Sequence, residues 1–170
     1  MAINLPGNSS FTAPGRGRDE IYVATTPLRA TKGPAQLLMS AAYSSQLVES
    51  SAFHAHHQPS ITSASPPSNC QPQDPENIYV ALAALSGRAI PGNILVRKIS
   101  KIPKKKCWYI GSSKLSNAVE AAYKFNSSWQ TDLRLGHHDC RHYTNGLAEM
   151  LIGKKNVLEH LQENQQGMDY

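Results

Sequence analysis

The chain has 170 residues, 40% hydrophobic, 17% charged and 7% aromatic, enough for the core of one domain and unlike a disordered polymer. It contains no run of eighteen apolar residues, which excludes a membrane-spanning helix. The net charge of +5 is local: seven of seventeen basic residues lie between Arg97 and Lys114 with no acid among them, leaving ten basic against twelve acidic residues elsewhere.

Residues 1–18, with Pro6, Gly7, Pro14, Gly15 and Gly17, read as a disordered lead-in. E-I-Y-V-A-T (Glu20–Thr25) reads as a strand closed by Pro27, and Gly33 and Pro34 open a helix over A-Q-L-L-M-S-A-A-Y. From Ser44 to Cys70 the character changes to eight serines, three clustered histidines, three prolines and one charge, Glu49. Neither structural period is present, so 44–70 reads as an irregular insert. In D-P-E-N, Asp74 is the expected cap and Pro75 the first-turn residue of a helix I-Y-V-A-L-A-A-L that stops at Gly87. N-I-L-V-R-K-I and C-W-Y-I-G read as strands joined by a solvated K-I-P-K-K-K loop. Ser116 is positioned to cap N-A-V-E-A-A-Y-K-F, with Val119, Tyr123 and Trp129 supplying apolar contacts. The loop T-D-L-R-L-G-H-H leads into a helix D-C-R-H-Y-T-N-G-L-A-E-M-L ended by Gly153. N-V-L-E-H-L-Q-E is a last helix, Asn156 and Glu159 having the spacing of a capping box. The expected fold is α+β, a small sheet with flanking helices forming one domain over 19–164, followed by a tail at 165–170.

Cys70, Cys107 and Cys140 cannot close a disulfide framework, since one is always left over. With no signal-peptide pattern at the N-terminus, the expected setting is intracellular and reducing, the cytoplasm by default. Arg16 and Arg18 in an acid-free head leave organelle targeting open. The Arg97–Lys114 stretch is a candidate contact for an anionic partner. Nucleic acid is the less favoured such partner, since no recognised binding motif accompanies the patch.

The densest chemistry is His137, His138, Asp139, Cys140, Arg141, His142 and Tyr143. With Asp139 as cap, Cys140 falls in the first helical turn, where unpaired N–H groups and the helix dipole favour thiolate. Arg134, Arg141 or a protonated histidine would add to that. A buried structural cysteine is the competing reading. Zinc is a third, disfavoured because His137, His138, Cys140 and His142 are too tightly spaced to converge and no C-x-x-C partner exists. No cofactor or metal is expected. His142, two positions along the helix from Cys140, faces elsewhere.

D-C-R-H-Y, followed by T-N-G-L, resembles the N-C-x-H-F box of circularly permuted papain-like proteins, a group that includes NlpC/P60-type, LRAT-like and PPPDE-type enzymes. The chain also resembles a plant protein family carrying E-I-Y-V-A-T, G-P-A-Q-L-L-M-S and H-D-C-R-H-Y-T-N. The resemblance implies a permuted papain-like fold and a thiol hydrolase or acyltransferase ancestry, with Cys140 as nucleophile. Asp139 stands where the family often has Asn. The resemblance also implies a histidine at the start of a strand between Tyr43 and Asp74. F-H-A-H-H-Q-P-S does not read as that strand, so the central strand is expected to be disrupted and His54, His56 and His57 to sit in a loop. A change of reading frame over about Gln46–Cys70 would account for this. One choice of codons for Gln46–Gln58, shifted by a nucleotide, reads N-S-W-N-L-Q-H-F-M-L-I-I. The candidate catalytic residues are therefore Cys140 with His54 or His138, in a site of doubtful activity. The alternative is a non-catalytic interaction module that uses the basic 97–114 loop.

Overall fold

The computed structural model describes residues 19–25, 50–58, 61–64, 68–96 and 106–166. The lead-in, the A-Q-L-L-M-S-A-A-Y helix, most of the basic loop and the last four residues lie outside them. Among the described residues the fold is α+β, with seven strands and four helices. The strands are β1 (Glu20–Thr25), β2 (Ser50–Gln58), β3 (Ile61–Ala64), β4 (Ser68–Pro72), β5 (Ile90–Val96), β6 (Cys107–Ser112) and β7 (Asp132–Leu133). The helices are α1 (Ile78–Leu85), α2 (Ala118–Ser128), α3 (Cys140–Ile152) and α4 (Val157–Gln166). The strands are ordered β6-β1-β2-β4-β5-β7, with β3 paired to β2, and every pairing is antiparallel.

β1 has the alternation its sequence promises, Ile21 and Val23 being buried on one face. It pairs with β2 from Glu20↔Ala55 to Thr25↔Ser50, and with β6 from Glu20↔Ser112 to Ala24↔Cys107, with a register shift between Ile21 and Tyr22. Tyr22 and Tyr109 meet edge to face at 5.5 Å on that second ladder.

The reading of 44–70 as an irregular insert is corrected. Its described residues form β2, β3 and the start of β4, and β2 occupies the central position between β1 and β4. The Ser- and His-rich composition carries little strand propensity, but pairing with β1 supplies partners for the backbone of β2, and such context outweighs propensity. The union of β2 with β4 is short: Ala52↔Ser68 is its one registered pair, against five between β4 and β5.

Two helices, α1 and α2, start three residues and one residue from where the sequence suggests. Asn77, not Asp74, caps α1, its side chain accepting from the Tyr79 N–H at 2.9 Å. The Asp74 carbonyl instead accepts from Asn77 N and closes a turn. Asn117, not Ser116, caps α2, accepting from Glu120 N at 3.2 Å while its own amide donates to the Glu120 carboxylate at 2.9 Å. Trp129 packs against the core as expected, but Tyr123 is exposed and Phe125 packs there instead. α3 runs from its Asp139 cap to a left-handed Gly153 (φ 71°), as expected. Its buried residues Cys140, Tyr143, Thr144, Leu147, Ala148, Leu151 and Ile152 follow the period of a helix lying on a sheet, and it packs across β1, β2, β4 and β6. Glu159 does not close a capping box; its carboxylate takes Arg141 at 3.0 Å and the Asn145 amide at 2.8 Å, holding α4 against α3. No helix among the described residues is long and apolar enough to cross a membrane.

Candidate functional site

The chemistry-bearing segment enters α3 through a tight turn. Arg134 and His138 exchange backbone bonds, each at 2.8 Å, and Gly136 takes the positive φ (73°) that the turn needs. The turn delivers a buried Asp139 whose carboxylate accepts from Gly136 N at 2.9 Å, Arg141 N at 3.0 Å and His142 N at 3.4 Å. The His142 ring closes on the same carboxylate, Nδ1 to Oδ1 at 2.9 Å. Burial opposes ionisation of Asp139, but the His142 ring and the Gly136 and Arg141 N–H groups outweigh it and hold the carboxyl below its ordinary range.

Cys140 is the first helical residue and is 4% exposed. The free N–H groups expected to favour its thiolate are largely taken by Asp139, which brings a negative charge where a positive end was expected. The two arginines are also engaged elsewhere: Arg134 Nε donates to the Gly87 carbonyl at 3.0 Å, and Arg141 pairs with Glu159. On β4 beneath this end of the helix lies Cys70, whose thiol is pushed up to about 12 by burial and by the Asp139 charge.

The candidate histidines are held by different elements. His138 stacks on Trp129 at 4.5 Å with 12° between the rings, and its Nε2 donates to the Gln130 carbonyl at 2.9 Å. His54 lies on β2 opposite Ile21. Continued from Ala52↔Ser68 and Thr25↔Ser50, the register sets Cys70 level with Ser50 and leaves His54 four residues along the strand, about 13 Å away. The row of Ile21 and His54 includes Gly111 on β6, and Gly111 lies against Ile152 at the opposite end of α3 from Cys140. His56 and His57 lie farther in the same direction, opposite Ser63 and Thr62 of β3.

The sequence reading missed a polar network beside the site. The Tyr143 hydroxyl donates to Asn126 Oδ1, and the Asn126 amide donates to Ser68 Oγ at 3.1 Å, so α3, α2 and β4 share one chain of bonds. Burial is the main cause that raises the Tyr143 phenol. No local signal joins residues 58 positions apart. Among the described residues no group of three or more His, Cys, Asp or Glu side chains could hold a metal ion. No protein-family model, curated protein or solved structure matches this chain.

Proposed function

We propose that the chain descends from a permuted papain-like thiol hydrolase or acyltransferase, with Cys140 at the nucleophile position, and that its Cys140 site has little hydrolytic activity. A cysteine opening a helix that lies on an antiparallel sheet supports the ancestry. One observation carries the loss of activity: the β2 register sets His54 level with the Ile152 end of α3, about four residues of strand from the Cys140 end. A general base must reach its proton within hydrogen-bond distance, and a His54 held four residues along the strand does not supply the roughly two to four orders of magnitude in rate that such a base gives.

Iodoacetamide labelling near neutral pH tests this reading. Cys107 is the internal reference, a half-buried thiol that burial raises above its ordinary value. Cys140 is expected to label no faster than Cys107. Faster labelling of the more deeply buried Cys140, lost in Cys140→Ser and matched by turnover of an acyl probe, would establish an active thiol enzyme instead.

A second reading is favoured by the Asp139 cap, which suits a structural helix start better than a thiolate site. It is a non-catalytic interaction module that meets an anionic partner through Arg97–Lys114. Salt-sensitive binding lost on charge reversal at Lys104–Lys106 and indifferent to Cys140→Ser would select it.

A further inference from the structure

α1 is apolar nearly all round, I-Y-V-A-L-A-A-L, and such a helix is expected to be covered on every side. Only one side is. Ala81 and Ala84 are buried toward the body of the fold, while Ile78, Tyr79, Leu82 and Leu85 are 38%, 78%, 49% and 44% exposed. At 100° per residue these four fall on one face centred near Leu82, a contiguous apolar stripe of the kind that marks an interaction site.

The two ends of the stripe carry opposite charge. Asp74 and Glu76 are exposed just before the helix. At the other end Arg88 is exposed, and Arg134 is anchored there through its Nε bond to the Gly87 carbonyl. Asp132, exposed on β7 opposite Pro91, leaves that end still net positive. We propose that this face pairs with the same face of a second copy of the chain, the two α1 helices running antiparallel about a two-fold axis at Leu82. Tyr79 and Leu85 stand three residues either side of Leu82 on the exposed face, while Asp74 and Glu76 precede the helix and Arg88 follows it. The axis therefore brings the acidic end of each helix, with Asp74 and Glu76, beside the basic end of the other, with the partner subunit's Arg88. An isologous interface needs such a self-complementary patch. A parallel pairing would instead set like charges together at both ends. With one short helix from each copy, the interface lies at the small end of the range for specific complexes, so association is reversible and concentration-dependent.

Sedimentation velocity of the full chain over a concentration series tests the proposal. The expected result is a reversible monomer–dimer equilibrium. Leu82→Glu weakens it at least roughly tenfold, and Glu76→Arg or Arg88→Glu alone weakens it roughly tenfold, two symmetric exposed pairs being reversed at once. Adding Glu76→Arg to Arg88→Glu recovers part of the loss caused by Arg88→Glu alone, because the acidic end that the new carboxylate faces is then neutralised. All three sites of change are exposed or half-exposed, and far-UV circular dichroism checks that each variant keeps the parent fold. A chain that stays monomeric at every concentration overturns the proposal, whether another protein or another segment of this chain covers α1. So does a dimer indifferent to Leu82→Glu, or a Glu76→Arg change that does not improve the association of Arg88→Glu.

Discussion

Asp139 does more at the start of α3 than the sequence position suggests. As a cap it satisfies two helical N–H groups, and it also holds the turn through Gly136 and orients His142. These bonds favour the ionised carboxyl, so its folded pKa lies below the unfolded one, and the sign of the pH effect follows. The stabilisation is fully present above the ordinary carboxylate range and is lost as pH falls through the depressed folded value. Urea midpoints measured from neutral to acid pH are expected to fall less steeply for Asp139→Asn than for the parent; equal slopes would remove Asp139 from the acid response. The cap was legible because capping is local: Asp139 precedes an apolar helical period, and its acceptors meet groups within three residues. The fate of Arg141 was not legible, since Glu159 comes from the next helix.

Helices were easier to read than strands for a physical reason. α3 contains its own hydrogen bonds, and its apolar period survives any choice of neighbour. β2 has no such autonomy; its backbone groups are satisfied only once β1 is beside it, and its composition conceals a strand that pairing creates. Misplaced caps at Asp74 and Ser116 have a related origin, because Asp74, Asn77, Ser116 and Asn117 are all good capping residues and the turn geometry chooses between them. The β5–β7 junction is a further case that sequence does not announce. A Cβ at Gly92 would lie 2.5 Å from the Thr131 carbonyl oxygen and 2.7 Å from Leu133 Cγ. Gly92→Ala is therefore expected to destabilise the fold by about 1–3 kcal/mol, the usual cost of overpacking. An unchanged denaturant midpoint would mean that β7 moves aside without cost.

At the scale of the whole molecule the sheet behaves as two ladders, β6-β1-β2 with β3, and β4-β5 with β7, joined by Ala52↔Ser68. α3 spans the joint, packing on β1 and β2 on one side and β4 on the other, with Leu147 fully buried at its centre. Leu147→Ala is expected to cost about 2–5 kcal/mol. In hydrogen exchange it should lower protection in β1 and β5 together; loss confined to one ladder would show that α3 does not couple them. Taken alone, the sequence determined the α+β class, the strand at Glu20–Thr25, the helix from Cys140 to its glycine stop, and the placement of Cys140 in a first turn capped by Asp139. Each follows from period and capping, which act within a few residues. Only the tertiary structure decided that Ser50–Gln58 is the central strand, that His54 is level with the far end of α3, and that the described residues leave an apolar face of α1 exposed. Those are matters of strand register and of burial between distant segments, and a one-residue change in pairing would alter them without changing any local pattern.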